Sequence, residues 1–421
     1  MPRIDPKTAR HFATGVVRAL CDAGFEALWA GGCVRDQLLG QQPKDYDVAT
    51  SAEPAQVRAV FGHHRTLAVG AAFGVITVLG PKNAGQVEVA TFRQDARYSD
   101  GRHPDHVTYS SDRQDAQRRD FTINGLFFDP LGERLIDYVG GRQDLEQRLI
   151  RAIGDPHLRL DEDKLRMLRA VRFAATLDFQ IDAATLDAVR RHAEQITLVS
   201  AERIAEELRR MLLHFRRRRA VELLQDANLM RPILPEAADL WGSASWNVTL
   251  EVLDRLHQPT AAVALAALLR PVNQNAPNGL QVRAVCRRWK LSNHETEGVQ
   301  MCLEHEALLR SAADVSWPRL QRILITPRIA ESLAFAEAVA RVVDSSTPDI
   351  DYCRQQLAQP PDILNPAPLI GGDDLRDVGI PPGPRYRTLL EQTRDAQLSG
   401  EIKTRNEAID FARELWDKLA E

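Results

Sequence analysis

The sequence predicts an α+β protein in which a head of mixed strands and helices precedes a long all-α region. Across residues 25–144, short apolar runs are bounded by Gly, Pro and Asp clusters, a pattern typical of strands. From Leu145 onward, apolar residues recur three and four positions apart with Arg and Glu between them, which is typical of helices. Because the strands come first and the helices follow, an α+β fold is favoured over a repeated βαβ fold.

The composition describes a folded chain of ordinary character. Its 421 residues allow roughly two to four domains. Hydrophobic residues at 44% and charged residues at 27% exclude wholesale disorder, collagen and coiled coil. The 54 Lys and Arg against 58 Asp and Glu give a formal net charge of −4, which excludes nucleic-acid binding through bulk positive charge. Any contact with a polyanion must therefore be local.

The sequence predicts a cytoplasmic protein with no membrane role. The five cysteines are odd in number and widely spaced, with no C-x-x-C pair, which fits a reducing compartment. Charged residues interrupt the apolar runs near the N-terminus and exclude a signal-peptide core. The most apolar later stretch, residues 261–269, is far shorter than the ~20 residues that span a bilayer.

Gly31 and Gly32 follow the first predicted strand and open a helix that carries Arg35. Paired glycines let the backbone approach a ligand closely, and the N–H groups that open a helix are anion donors. Arg35 would add a charged fork to a phosphate. A plain tight turn explains the two glycines about as well.

Asp45 and Asp47 form an Asp-x-Asp pair shortly after this turn. On a strand, residues i and i+2 point to one face, so the two carboxylates would converge. Two like charges side by side are costly unless a cation lies between them, and hard oxygen ligands suit Mg²⁺. A solvated turn is the alternative, but the preceding Gly-Gly-x-Val-Arg-Asp element favours the metal site.

Glu88 is a third carboxylate on a predicted neighbouring strand. Val87 and Val89 would share one face of that strand, which leaves Glu88 on the other. An acid in this position needs a partner. Glu88 would either complete the metal site or pair with Arg93 or Arg35 as structural support.

Arg118, Arg119 and Asp120 immediately precede an apolar turn that contains Asn124. The two guanidinium groups can hold triphosphate oxygens, and the carboxylate can accept from ribose hydroxyls. The alternative is a surface ion-pair patch at a helix start, which an isolated Arg-Arg-Asp would favour.

Asp163 and Arg166 lie three positions apart in a helix predicted over residues 163–173, and Arg169 and Arg172 continue the same side. Such a pair can form half of a base pair. Its carboxylate accepts from an exocyclic amine and its guanidinium donates to the neighbouring ring nitrogen, which suits cytosine and adenine and refuses uracil and guanine. Spacing alone favours the alternative, an ordinary helix salt bridge of about 0.3–0.5 kcal/mol.

Taken in order, these segments resemble the motif series of the class II tRNA nucleotidyltransferase and bacterial poly(A) polymerase family. The resemblance covers about residues 28–213, and five ordered motifs are highly specific. They are residues 31–36, Asp45-x-Asp47, residues 118–124, residues 137–144 and residues 162–169, and residues 200–204 resemble a later helical motif of the family.

The resemblance implies a domain order and a set of roles. The implied domains are a DNA polymerase beta-type nucleotidyltransferase head over 1–150, a helical neck with the base-selecting helix over 151–220, a helical body over 221–360 and a helical RNA-binding tail over 361–421. Asp45 and Asp47 would bind two Mg²⁺ ions, one activating the RNA 3′ hydroxyl and one holding the triphosphate. Arg119 and Asp120 would hold triphosphate and ribose, and Asp163 with Arg166 would select the base.

The implied activity is template-independent transfer from ATP and CTP to RNA 3′ ends, foremost the addition or repair of the CCA end of tRNA. Residues 369–384 and 397–402 resemble the C-terminal domain of bacterial CCA-adding enzymes, whereas poly(A) polymerases tend to carry a basic extension. Poly(A) addition is the alternative. A catalytically idle RNA-binding protein and a nucleotidyltransferase for small molecules are less favoured, and no protein partner is implied.

Two further segments bear on this resemblance. Residues 97–107 resemble the flexible loop that complete CCA-adding members need to switch from C to A. Gly125 stands where the family usually has Ala, a departure that concerns only local rigidity.

RNA would reach the site along a basic stripe, and the densest positive run lies after the last motif. Phosphate contacts there would make binding salt-dependent. A solvated helix face paired with Glu206 and Glu207 explains the same residues equally well. The run comprises Arg209, Arg210 and Arg216 to Arg219, with His214 among them, and Arg209, Arg210, Arg216 and Arg217 are the predicted RNA-binding residues.

Overall fold

The computed structural model describes residues 4–95 and 107–420. The chain divides into two units, residues 1–238 and residues 239–421. In the described residues, every strand lies in the first unit, and the second consists of helices and the loops between them. This arrangement confirms the predicted α+β class with a helical remainder. The unit boundary falls inside the segment predicted as the body, and the four-domain division stays a prediction.

The first unit alternates strands and short helices before it becomes helical. Its strands are β1 (Ala27–Ala30), β2 (Asp47–Thr50), β3 (Thr66–Leu67), β4 (Val75–Leu79), β5 (Gln86–Thr91), β6 (Arg93–Asp95), β7 (Val107–Tyr109), β8 (Leu126–Asp129), β9 (Arg134–Asp137), β10 (Leu149–Ile150) and β11 (Gln180–Ile181). Its helices are α1 (Pro6–Asp22), α2 (Gly32–Leu38), α3 (Pro54–Phe61), α4 (Asp112–Arg118), α5 (Gly141–Glu146), α6 (Pro156–Glu162), α7 (Leu165–Leu177), α8 (Ala183–His192), α9 (Ala201–Leu213), α10 (Arg217–Asp226) and α11 (Met230–Ile233).

The second unit is built from longer helices. They are α12 (Ala244–Arg255), α13 (Ala261–Asn275), α14 (Leu280–Arg288), α15 (Asn293–Arg310), α16 (Trp317–Leu324), α17 (Ile329–Val343), α18 (Pro348–Leu357), α19 (Pro361–Leu364), α20 (Gly372–Asp377), α21 (Arg385–Leu398) and α22 (Arg405–Ala420). Single 3-10 turns join several elements of the two units, at His63–Arg65, Ala71–Phe73, Thr122–Asn124, Ala193–Leu198, Pro235–Leu240 and Ala312–Asp314.

The main sheet of the described first unit has the strand order β3-β4-β5-β2-β1-β8-β9. All neighbours are antiparallel except β2 and β5, whose parallel register sets Asp47 beside Glu88. Both faces of the sheet are covered, since all four residues of β1 are buried. The buried stripe of α1, which includes Val16 and Leu20, packs over β1 and β2.

Helix α7 starts later than the spacing of its residues predicts. The backbone of Asp163 is extended, with φ −145° and ψ 107°, and its carboxylate accepts from the backbone N–H of Leu165 at 3.0 Å. A side chain that caps the next turn in this way ends α6 and begins α7 two residues on. The prediction of one helix over residues 163–173 is therefore wrong at its first two positions.

The second unit contains a buried ion pair and two apolar clusters. Arg270 of α13 donates to both carboxylate oxygens of Glu306 on α15, at 2.9 and 3.0 Å. One cluster of buried residues falls within residues 309–353 and the other within residues 370–412. Of the helices described, none combines the length and the apolar character needed to cross a membrane.

Gly125 lies in a crowded position between the 3-10 turn Thr122–Asn124 and β8. A Cβ at this position would lie 2.7 Å from Cγ2 of Val139 and 3.2 Å from Cδ1 of Ile153. Both distances are shorter than ordinary carbon contacts of about 3.5–4.0 Å. The glycine therefore reflects tight packing as well as local flexibility.

We expect Gly125→Ala to destabilise the protein by about 1–3 kcal/mol, because the added methyl group overpacks this turn. The measurement is the midpoint of thermal unfolding. Gly15→Ala is the matched control, since Gly15 lies within α1 with nothing within 4 Å of an added Cβ, and Ala should stabilise that helix by roughly 0.5–1 kcal/mol. An unchanged midpoint for Gly125→Ala would contradict the packing argument.

Candidate functional site

One cavity of about 640 Å³ in the first unit collects every residue predicted to bind nucleotide or metal. These residues come from segments far apart in the chain, so the fold itself brings them together. They are Gly31, Gly32, Arg35, Asp45, Asp47, Glu88, Arg118, Arg119, Asp120, Asn124, Asp163, Arg166 and Arg169.

Three carboxylates form the acidic part of the cavity. Asp47 is the first residue of β2, and the parallel register places it beside Glu88 of β5. Asp45 lies in the bend just before the strand and lines the same cavity. The residue between them, Tyr46, is buried with its ring 4.8 Å from that of Trp29. Only Asp47 lies on the strand, both aspartates line the same cavity, and their joint role as metal ligands stays a prediction.

The electrostatics of this corner disfavour the charged form of Asp47. Burial raises the pKa of Asp47 to about 6, and the charges of Asp45 and Glu88 add to that effect, while Arg119 opposes it. A bound cation would offset both the burial and the like charges, because it stabilises the ionised carboxylates. The environment of Asp47 therefore fits a cation ligand.

The donor set defines which cation fits. Among residues 4–95 and 107–420, no group of three or more His, Cys, Asp and Glu side chains is arranged to hold a metal ion. Asp45 and Asp47 line this corner, and the parallel register places Glu88 beside Asp47. Two carboxylates with open positions suit Mg²⁺, which binds through one or two carboxylates together with phosphate oxygens and water.

Arg118 and Arg119 share one buried anchor, Asp115. Arg118 donates to Oδ1 of Asp115 at 2.7 and 2.8 Å, and Arg119 donates to Oδ2 at 2.9 and 3.1 Å. Asp115 is 1% exposed. Burial alone would raise the pKa of Asp115, but the two guanidinium charges lower it below its usual value. The sequence analysis missed Asp115, although its spacing to the two arginines on α4 was a usable signal.

Arg119 also packs directly against Gly31. Its Nη1 donates to the carbonyl of Asn124 at 3.2 Å, and its guanidinium lies over the ring of Phe127. A Cβ on Gly31 would come within 2.9 Å of this Nη1, and Gly31 has φ +71°, which favours glycine. Glycine is thus favoured at position 31 by its positive φ and by the close approach of the Arg119 guanidinium.

Asp120 is fully engaged within the protein. Its Oδ1 accepts from the backbone N–H of Phe121 and from Asn124, and its Oδ2 accepts from two nitrogens of Arg169. Burial alone would raise the pKa of Asp120, but Arg169 and Asn124 hold it well below its usual range. Four donors fill the acceptor sites of a carboxylate. In this structure the contacts of Asp120 position Arg169 and Asn124, and its acceptance from ribose stays a prediction.

Asp163 and Arg166 both line the cavity, but no ion pair joins them in the described structure. Asp163 accepts from Arg203 of α9 at 2.8 Å. Arg166 donates to Glu162 at 2.5 Å, and it also contacts the backbone carbonyl of Arg118 at 3.1 Å. The alternative of a simple salt bridge between Asp163 and Arg166 is therefore wrong. Arg203, which the sequence analysis gave no role, holds the carboxylate.

Arginine side chains surround Phe173 on the helical wall of the cavity. The guanidinium carbons of Arg35, Arg169 and Arg172 lie 5.2, 5.3 and 4.1 Å from its ring centre. Arg35 is also tied to Asn124 at 2.7 Å. In the described part of the chain, nine arginines and five carboxylates line the cavity, so its net charge is positive. A phosphate-rich anion complements such a lining.

The arginines of the predicted basic stripe differ in their exposure and in their partners. Arg209 and Arg210 pair with Glu206 at 2.6 and 3.0 Å, as the alternative of a paired helix face expected, and Arg210 also lines the cavity. Arg216 lies 3.6 Å from Asp178. These three side chains are partly exposed. Arg217 is 3% exposed and donates to the carbonyl of Leu212, so its assignment to an RNA surface is corrected.

The segment predicted as a flexible loop, residues 97–107, lies outside the described residues except for Val107. Strands β6 and β7, which flank the undescribed segment, pair antiparallel, with Asp95 opposite Val107. The assignment of this loop stays a prediction.

Comparison with known proteins identifies the family of this chain. Three family models match in order: the Poly A polymerase head domain at residues 27–151, the Probable RNA and SrmB- binding site of polymerase A at 178–240, and the putative tRNA nucleotidyltransferase domain 2 at 257–412. A CCA-adding enzyme of Lactococcus lactis subsp. cremoris is 33% identical over 401 residues, 94% of each chain. This chain belongs to the CCA-adding enzyme family. It is accordingly a nucleotidyltransferase, and the predicted resemblance is confirmed.

Further relatives are similar to this chain over nearly its full length. The CCA-adding enzyme of Lactiplantibacillus plantarum is 32% identical over 413 residues, 96% of each chain. Among solved structures, the Bacillus stearothermophilus CCA-adding enzyme in complex with CTP aligns with a TM-score of 0.76 and 28% identity over 98% of each chain. The Thermotoga maritima CCA-adding enzyme complexed with tRNA_CCA, at 18% identity and a TM-score of 0.67 over 99% of this chain and 97% of that one, shares the fold.

We expect Asp115→Ala to raise the KM for ATP and CTP roughly ten- to a hundredfold, because Arg118 and Arg119 lose the carboxylate that orients both of them. Steady-state kinetics with an RNA acceptor provide the measurement. Asp112→Ala on the same helix is the matched control, since Asp112 is only half-buried and its side chain bonds to Tyr138. A folded Asp115→Ala protein with an unchanged nucleotide KM would refute this positioning role.

Proposed function

We propose that this chain adds or repairs the CCA end of tRNA, with ATP and CTP as its substrates. The observation that carries the proposal is the single cavity that joins an aspartate pair to an arginine-lined wall. Relatives named CCA-adding enzymes match this chain from head to tail, and one solved relative holds CTP. The family match over residues 257–412 favours tRNA over poly(A) addition, because it extends the likeness beyond the head.

The triphosphate is held by the arginine wall in this proposal. Arg118 and Arg119 present guanidinium groups that Asp115 has already oriented, so little ordering is needed when phosphate binds. Arg35 and Arg169 are fixed in turn by Asn124 and Asp120. Preorganised positive charge of this kind stabilises the charge that spreads over a phosphoryl group during transfer.

Asp45 and Asp47 are the proposed Mg²⁺ ligands. When bound, two such ions would supply activation of the RNA 3′ hydroxyl and neutralisation of the leaving pyrophosphate. Both aspartates line the cavity, and Glu88 adds negative charge beside Asp47. Glu88 thus acts on Asp47 through its charge.

Selection of the base falls to Asp163 and Arg166 in this proposal. Each side chain is anchored separately, Asp163 by Arg203 and Arg166 by Glu162. The carboxylate and the guanidinium can therefore keep fixed positions while they face a base edge. A carboxylate acceptor beside a guanidinium donor matches cytosine and adenine, whereas uracil and guanine place a carbonyl against the carboxylate.

We assign the reaction to the cytoplasm. The five cysteines are free thiols, and four of them are buried. Burial raises the pKa of the Cys33 thiol to about 12, which leaves it protonated and unreactive. Unpaired buried thiols of this kind fit a reducing compartment.

The proposed function predicts defined products from tRNA transcripts that end before CCA, at CC and at CCA. With ATP and CTP, the first transcript should gain three nucleotides, the second should gain one nucleotide, and the third should remain unchanged.

Asp47→Asn should reduce transfer about a hundredfold or more while leaving the protein folded. Asp22→Asn, a surface change at the end of α1, is the control and should behave as wild type. Long A tails on an unstructured RNA would favour the poly(A) alternative.

Base selection can be tested with Asp163→Ala. We expect the preference for ATP and CTP over UTP and GTP, measured as a ratio of kcat/KM values, to fall roughly five- to a hundredfold. Asp161→Ala is the control, because Asp161 is exposed and pairs with Lys164 by its side chain. An unchanged ratio in Asp163→Ala would remove this residue from base selection.

A further inference from the structure

Phe215 is a large aromatic side chain with 65% of its surface exposed, in the turn between α9 and α10. Its ring centre lies 4.3 Å from that of His214, and the guanidinium carbon of Arg216 lies 4.7 Å from it. Isolated exposed apolar residues are common and need no explanation. Here, however, the ring is flanked by an imidazole and a cation and keeps most of its surface open.

The turn that carries Phe215 is held in place. The backbone N–H of Arg216 donates to the ring of His214 at 3.2 Å, and the Arg216 side chain donates to the carbonyl of Thr176 at 3.1 Å. On its other side, Arg217 is buried and donates to the carbonyl of Leu212 at 2.8 Å. The exposed ring is thus presented by an ordered turn.

The position of this turn is tied to the transfer cavity. Arg210, which lines the cavity, lies one helical turn before His214. Burial lowers the pKa of His214, and the charges of Arg216, Arg217 and Lys44 lower it further. Lys44 immediately precedes the proposed metal ligand Asp45. His214, the neighbour of Phe215, therefore lies close enough to Lys44 for that charge to act on it.

The chemistry around the ring fits a nucleic-acid strand. Arg210 and Arg216 are partly exposed cations on either side of the ring in sequence, and Lys44 adds positive charge nearby. Phosphates are attracted to such cations, and unpaired bases stack on exposed aromatic rings. An apolar protein partner would gain little from this charge.

We propose that Phe215 stacks against a base of the RNA strand close to its 3′ end and guides the strand into the cavity. This inference rests on the proposed function, because it requires an RNA terminus at Asp45 and Asp47. Stacking of this kind contributes to RNA binding and leaves the chemical step unchanged. It also tolerates any base, since every base has a flat face.

The first test compares Phe215→Ala, Phe215→Leu and Phe215→Trp with tRNA ending in CC as acceptor. We expect Phe215→Ala to raise the KM for tRNA about tenfold, with kcat and the KM for ATP within twofold of wild type. Phe215→Trp should restore the KM, and Phe215→Leu should not, because an aliphatic side chain cannot stack. Leu198→Ala is the matched control, since Leu198 is 74% exposed in the same unit.

The second test identifies the base. An abasic nucleotide is placed in turn at each of the last four positions of the acceptor. At one position, we expect the abasic change to raise the KM of the wild-type protein for tRNA about as much as Phe215→Ala does. In the Phe215→Ala variant, the same abasic change should raise the KM no further. Effects that add independently at all four positions would overturn the proposal.

The outcomes separate this inference from the proposed function. If wild type extends no RNA, the proposed function fails. If wild type extends tRNA and Phe215→Ala has the same KM for tRNA, only the stacking role fails. A Phe215→Ala variant that instead loses a concentration-dependent dimer, with its KM for tRNA unchanged, would assign the ring to a contact between copies of the chain and would also overturn the proposal.

Discussion

The ion pair between Asp120 and Arg169 is the contact on which the geometry of the site depends. It joins the segment that precedes β8 in the sheet to helix α7. Asp120 also bonds to Asn124, which in turn bonds to Arg35. Breaking one partner of a buried pair typically costs about 3–5 kcal/mol, because the other charge is left without compensation. The position of the arginine wall therefore follows from one buried carboxylate that is fully satisfied.

A second buried acid, within α4, repeats this design. Asp115 holds Arg118 and Arg119 as Asp120 holds Arg169, and each acid is buried. The acids that bind arginines are thus separate from the acids of the corner, where Asp45 and Asp47 have few compensating charges. Positive charge for phosphate and negative charge for a cation are kept apart within one cavity.

Much of the site could be predicted from the sequence because its motifs are local. The aspartate pair, the paired glycines and the Arg-Arg-Asp segment each lie within a few residues, and all reached the same cavity. Pairing partners distant in the chain could not be predicted. Asp163 and Arg203 are 40 positions apart, and nothing in local spacing connects them. The helix break at Asp163 was missed for a related reason, since a capping side chain overrode the helical pattern.

The positive lining of the cavity consists of arginine, and no lysine lines it within the described residues. A guanidinium group stays protonated far above neutral pH, whereas an amine can lose its proton and can be acylated. The potential that attracts phosphate is therefore insensitive to alkaline conditions that would discharge a lysine-lined pocket. Reagents that acetylate surface amines would label this chain elsewhere and leave the pocket's own charge intact.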